Sequence, residues 1–294
     1  PADLTAELST RITSGLELTD DQRSALIDLV ETITSTPDWD EGPARGWLPE
    51  FVSIWARNST SEMAPADLEP GDVYGGGELL YSAGSKAGWE FYPLYTFQSR
   101  ERRERNEPPD CASSDGNYNK FGEPCQLCPD YGWPEDGKPN CTLAINWIVM
   151  AADLSGIYQI RFRRTSYGVG RNIGRSLRGV KHPWEKKFQL KSQEKTGGGN
   201  AWHIFKTQIS RPEPVPAHVQ RACQVIYDYY TSARTSFLGD EVARRKSEGI
   251  DALSEEEIRQ RLRRRAGLGA GQADAIDITP PGTANKAVVD VTDM

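Results

Sequence analysis

Histidine is nearly missing from this chain: His182, His203 and His218 are the only three in 294 residues, and none lies near Cys111, Cys125, Cys128 or Cys141 in sequence. No HExxH or G-x-S-x-G motif occurs, and no pair of carboxylates stands out as a general acid and base, so an enzyme is not expected. No run approaches 18 apolar residues, which excludes a membrane-spanning helix. The opening PADLTAELST has neither a basic nor an apolar signal region, so a cytoplasmic, soluble protein is expected. A phosphate-binding loop is absent too. GVGRNIGRS (168–176) has three residues between Gly170 and Gly174 and then Arg175, where a P-loop needs four and then Lys. Its last glycine also falls one residue late for G-x-G-x-x-G, and the stretch reads as a flexible basic turn leading into a short helix.

Cysteine is scarce but concentrated. Four of the five, Cys111, Cys125, Cys128 and Cys141, form C-x13-C-x2-C-x12-C in a loop-like stretch crowded with Gly, Pro, Asn and Asp. Such a segment buries too little apolar surface to fix its own shape, and four thiolates on one Zn2+ would supply the missing folding free energy. A structural zinc site is the expectation. Two disulfides are the main rival, disfavoured by a reducing compartment, and a redox pair is the third reading, although no βαβ pattern surrounds it. Cys223 lies in the helical run VQRACQVIYDYY and reads as a small buried residue.

The net charge of −7 would argue against a nucleic-acid partner, but its distribution argues the other way. Residues 1–50 hold eleven acids against three bases, and residues 161–195 hold eleven Lys/Arg against two Glu. Within the second block Arg161, Arg163, Arg164, Arg171, Arg175, Arg178, Lys181, Lys186, Lys187 and Lys191 are candidates to follow a phosphate backbone. Tyr167, Trp184 and, beyond the block, Trp202 are candidates to stack on bases, with Tyr158, Phe162 and Phe188 also interleaved. A basic groove with aromatic platforms is how single strands are held without sequence readout. The bland alternative is a solvated charged face with its aromatics in the core. SRERRERN (99–106) is a second basic cluster, self-neutralising if it forms a helix.

Pattern then gives the expected architecture. Thr19 with Gln22 makes a capping box ahead of the stripe Ala25, Leu26, Leu29, Val30 and Ile33. AGWEFYPLYTFQ reads as a strand. CTLAINWIVMA with GIYQIRFRR reads as a hairpin, and WEKKFQLKSQEK with AWHIFKTQI as a second one across a mobile loop, Gly197–Gly199. Five strands with a long loop after the first suit an oligonucleotide-binding (OB) fold. The expectation is an α+β protein: an OB-like antiparallel β-barrel over 71–212 with a four-cysteine zinc insertion at about 106–142. An acidic helical segment (1–70) would precede it. C-terminal helices (213–266) with a Ser254/Glu257 capping box would follow, and then a disordered acidic tail (267–294).

Residues 89–205 also resemble a group of phage and mobile-element proteins. The resemblance rests on Pro108, Pro109, Cys111, Ser114, Asp115 and Gly116, then Cys125–Pro129, Trp133, Cys141 and the Thr165-Ser166 pair. It implies a zinc-bearing, barrel-type single-stranded-DNA-binding protein of replication or recombination. Asp290 and Asp293 are similar to the acidic tails by which such proteins recruit replication or recombination enzymes, without their dense acidic run or terminal Phe. A zinc-stabilised regulatory or protein-interaction module and a nuclease or primase accessory subunit are the alternatives.

Overall fold

The computed structural model describes residues 2–34, 52–56, 67–75, 78–102, 111–113, 124–128, 130–131, 141–210 and 214–247. All of them lie in one compact unit, Pro1–Asp251. The Ser254/Glu257 capping box and the acidic tail lie outside the described residues. Among the described residues no helix is long and apolar enough to cross a membrane.

The centre is an antiparallel sheet of five strands in the order β7 (Ile157–Arg163), β6 (Cys141–Ala151), β4 (Trp89–Arg102), β8 (Phe188–Gly197), β9 (Asn200–Ile209). These are the five strands and two hairpins read from the sequence. Three more extend the sheet on the β7 side. β1 (Val52–Ala56) pairs parallel to β7, and β2 (Val73–Gly75) and β3 (Glu78–Tyr81) follow antiparallel. β5 (Cys111–Ser113) pairs with the far end of β4. The sheet therefore begins ahead of residue 71.

Composition explains the pairing. β4 is rich in aromatic residues, which suits a pleated, half-buried surface. Its Pro93 has no N–H for a ladder, and it falls where one edge of β4 has no described partner: β8 pairs only with Trp89–Phe91, and β5 only with Arg100–Arg102. A register shift against β6 follows directly, between Pro93 and Tyr95. Gly198 and Gly199, within the loop expected between these strands, form a two-residue turn with φ of 59° and 78°. Positive φ at both positions matches the right-handed twist of the strands it joins.

Two cores lie on the two faces of this sheet. On one face Tyr92, Leu94, Ile148 and Met150 pack against α1 (Ala2–Thr13), α2 (Asp20–Thr34) and α4 (Ala217–Ser247). α2 starts as expected: Thr19 N–H donates to Gln22 Oε1 at 3.1 Å, and Gln22 N–H to Thr19 Oγ1 at 3.3 Å. Leu26, Leu29 and Val30 of its stripe are buried, and so are Val219, Ala222, Val225 and Ile226 of α4, with Cys223 among them. On the other face Phe91, Trp147, Val149, Ile160, Phe162, Phe188, Leu190 and Phe205 form the second core.

The sheet curls round this second core without closing. Phe162 on β7 meets Phe205 on β9 edge to face at 5.8 Å, and the Ser192 hydroxyl of β8 reaches the Gly71 carbonyl. The hydrogen-bonded path nonetheless runs from β3 at one end to β9 at the other. The closed OB-like barrel is thus not formed among the described residues. What fills its mouth is α3 (Tyr167–Ser176), packed on β6, β7 and β9.

Three glycines make α3 a poor helix on propensity alone, and contact with the sheet compensates. A Cβ at Gly170 would come 2.8 Å from the Phe162 Cβ, so the backbone sits directly on that side chain. Trp147 Nε1 donates to the Gly170 carbonyl at 3.1 Å. Gly170→Ala is expected to lose about 1–3 kcal/mol of stability in denaturant unfolding by lifting α3 off Phe162. Gly174→Ala, where the new Cβ would meet only the Trp147 ring at 3.8 Å, is expected to be neutral or to gain up to about 1 kcal/mol. Equal effects of the two would contradict this docking.

Candidate nucleic-acid interface

The strand ladders sort the basic residues by face, because side chains alternate along a strand and directly paired residues share a side. Arg161 and Arg163 pair with Asn146 and Ala144 and point to the helix-covered side. There they converge on one buried carboxylate. Arg161 Nη1 is 2.9 Å from Glu101 Oε2, and Arg163 Nη1 is 2.6 Å from Glu101 Oε1. Glu101 is itself only 4% exposed. SRERRERN was expected to neutralise itself on a helix; residues 99–102 are strand, so Glu101 points one way and Arg100 and Arg102 the other.

Other candidates are also engaged. Lys187 Nζ lies 2.7 Å from Glu90 Oε2. Lys186 donates to the Ser176 carbonyl, and Lys191 to the Lys86 carbonyl at 2.6 Å. Trp184 is 2% exposed, stacked on His182 at 4.9 Å and packed near Tyr227, so it belongs to the helical core and not to a base platform. Tyr167 is half-buried at the rim of the second core, and Trp202 is half-buried on β9.

What remains is a coherent strip on and around α3. Arg171, Arg175 and Arg178 recur at i, i+4 and i+7 along α3 and the turn that continues it, on the side away from buried Gly170 and Ile173. Arg175 and Arg178 are exposed, as are Arg164 before the helix and Lys181 after it. Arg164, Arg178 and Lys181 enter no ion pair among the described residues, and Arg175 is bonded to Asn172 Oδ1 at 3.3 Å. Residues 161–184 contain seven Arg/Lys and no Asp or Glu, so the run itself brings no carboxylate to the strip. The signal in the sequence was this acid-free run, sharper than the basic count over 161–195.

The cysteines lie at one end of the same sheet face. In the ladders both Cys111 and Cys141 pair with Arg102, one on each side, and so share its face. Continuing along β6, that face carries Leu143, Ile145 and then Trp147, on which α3 rests. A 3-10 turn at Cys125–Leu127 brings Cys125 and Cys128 together, with Cys128 N–H on the Cys125 carbonyl at 3.0 Å. Arg100 fastens this turn to the sheet: Nη1 donates to the Tyr131 carbonyl at 3.1 Å, and the guanidinium lies 3.9 Å from the Tyr131 ring centroid. Arg102 adds a 2.7 Å bond to Asp130.

Burial pushes the Cys141 thiol up. Arg100 pulls against this through its charge and a hydrogen bond, and the neighbouring Cys128 and Cys111 push in the same direction as burial. Three thiols therefore share one electrostatic neighbourhood, with a guanidinium placed to balance a thiolate cluster. In donor chemistry this fits zinc. In geometry the fit is incomplete, because among the described residues no three His, Cys, Asp or Glu side chains are grouped as a metal site. Two strand spacings separate Cys111 from Cys141, about 10 Å with Arg102 between them, so their side chains must lean over Arg102 to meet. That span is also too wide for a disulfide between them, and none of the five cysteines is disulfide-bonded. No protein-family model, no curated protein and no solved structure matches the chain.

Glu90 gives the interface a measurable marker. Burial raises its pKa, but bonds from Lys187, Gln189 and Ser210 together with the Lys187 charge outweigh that and hold it at about 2, below the ordinary 4.5. The ionised form is thus favoured by folding. Its contribution is present above pH 4.5 and is lost as the pH falls from there through 2. Glu90→Gln is expected to flatten the acid limb of the stability–pH curve over that window, read by thermal melts. An unchanged limb would place the acid sensitivity elsewhere.

Proposed function

We propose that the protein binds single-stranded DNA without catalysis, through the arginine strip of α3, in replication or recombination of a phage or mobile element. One observation carries this reading. Arg171, Arg175 and Arg178 recur along one side of α3 and the turn after it, within a sequence, 161–184, that holds no Asp or Glu. Three guanidinium groups along about 10 Å of helix, at 1.5 Å per residue, match the pitch at which a flexible backbone can present phosphates. Arg164 and Lys181 extend the strip, and Tyr167 at the helix start is the aromatic nearest to it in sequence. The resemblance carried by the cysteine pattern supports the same function and source. An acidic tail that recruits replication enzymes belongs to this reading as its partner-binding element.

Zinc belongs to the same proposal as scaffold. Cys111 and Cys141 from the ends of β5 and β6, with Cys125 and Cys128 from the 3-10 turn, would hold it. When bound it would supply a closed tetrahedral cross-link and no chemistry at an open position. What this chain's own residues do is anchor the turn, by Arg100 on Tyr131 and Arg102 on Asp130. The oligonucleotide-binding barrel enters as a functional likeness, a curled sheet with a basic mouth.

Binding to single- and double-stranded oligonucleotides across a salt series tests the function. Single strands should be preferred, with affinity falling steeply as salt rises. Replacing Arg171, Arg175 and Arg178 with Ala should lower the slope of log K against log salt by about 2, at about 0.7 per lost phosphate contact. An affinity indifferent to salt, or a preference for duplex, sinks the proposal. The zinc has its own readout: metal analysis of the purified protein should give about one equivalent per chain, and Cys128→Ser should release it. Far less than one equivalent would refute the site while leaving the salt result standing.

A further inference from the structure

One surface of the sheet lies outside both cores. In the β8–β9 ladder Lys191 stands opposite Lys206, Gln193 opposite Ile204 and Lys195 opposite Trp202. These residues point away from Phe188, Leu190 and Phe205, which face the second core. The outward row, completed by Gln189 and Gln208, contains three lysines, and the carboxylate beside it on that face, Glu90 opposite Gln189, is taken up by Lys187, Gln189 and Ser210. The one acid of this stretch, Glu194, faces the other way, opposite His203.

Lys191 and Lys206 are directly opposed, an arrangement that costs stability unless an anion lies between them. Lys191 is steadied by the Lys86 carbonyl, whereas Lys195 and Lys206 are exposed. Trp202 is held without being buried. Its ring rests against Gly197, where a Cβ would approach to 3.1 Å, and the indole is half-buried, part of it open to solvent. A fixed, accessible indole beside ammonium groups is the equipment of a stacking platform.

Topology connects this row to α3. The helix packs on β9, and β9 ends the hydrogen-bonded path, so among the described residues no further strand separates the two surfaces. We propose that the outward face of the β8–β9 hairpin is a second contact platform for the same single strand, reached from α3 round the β9 edge. Lys195 and Lys206 take phosphates there, and Trp202 stacks one base. This rests on the single-strand reading of α3 and adds Lys195 and Lys206, which the sequence did not single out.

The test uses the full chain and thymidylate oligonucleotides, one short enough for α3 alone and one several times longer, across a salt series. On the long strand Lys195→Ala/Lys206→Ala should bind about tenfold more weakly, with a salt slope lower by about 1.4, at about 0.7 for each lost contact. Trp202→Ala should lose about tenfold with the slope unchanged, the effect of one lost stacking contact. On the short strand all of these should match the parent, and Lys195→Arg/Lys206→Arg should restore long-strand binding. Hairpin variants that match the parent on long strands, while the α3 triple variant is weakened, overturn the platform and leave the α3 reading intact. A parent that binds no single strand, or prefers duplex, overturns both.

Discussion

Strand β6 is buried on both faces, and the rest of the architecture answers that constraint. Ile148 and Met150 face one core while Ile145, Trp147, Val149 and Ala151 face the other. A large side chain fully buried contributes about 1.5–3 kcal/mol, so neither face can be left to water. α1, α2 and α4 cover the first face. Among the described residues no long helix covers the second, where the sheet curls over itself and the short α3 packs in the gap. The position of the arginine strip is therefore a by-product of core packing. α3 is held by Gly170 against Phe162 and by the Trp147 indole, and its remaining side carries the guanidinium groups into solvent.

One residue breaks the apolar run of β6, and it divides the helix-covered face in two. Asn146, fully buried, donates to Ser99 Oγ at 2.8 Å and accepts from Gln159 at 2.8 Å. Beyond it Glu101, Arg161 and Arg163 continue the polar layer. A buried amide is tolerated only when its bonds are made, and here they join three neighbouring strands. This layer draws two of the most conspicuous arginines in the sequence away from any surface strip. Charge that looked like one block in sequence is structural on one face of β7 and exposed around α3.

Much of this was legible in the amino-acid order and some was not. The five central strands, both β6–β7 and β8–β9 hairpins and the Thr19–Gln22 box follow from local pattern, because alternation and capping are properties of adjacent residues. In IYQIRFRR the period-two alternation likewise puts Phe162 and Arg161 on opposite sides, as the ladder has them. The partner of Arg161 was hidden, since Glu101 lies 60 residues earlier and meets it only through β6. α3 was hidden for the same reason. Its glycines speak against a helix locally, and only the Phe162 and Trp147 contacts, made across the fold, tip the balance. Trp184 stood among the stacking candidates because it lies in the basic block, yet its ring is buried in the helical core. β1 to β3 had no periodicity to find, being three to five residues long.

The relation of the cysteines to the arginines follows from the ladder. Cys111, Arg102 and Cys141 form one row across β5, β4 and β6, and α3 begins its contact with the same face a few residues along β6. A cross-link in that row would fix the end of β4 and β6 and, through them, the floor on which α3 sits. Arg100, only 6% exposed and bound to Tyr131, already fastens the cysteine turn to that floor without a metal. On the proposed reading the cysteines would act on the arginine strip through the rigidity of this shared floor. On the same reading, scaffold and binding surface share a sheet face: the cysteine turn and buried Arg100 would set the shape, and the exposed arginines around α3 would meet the partner.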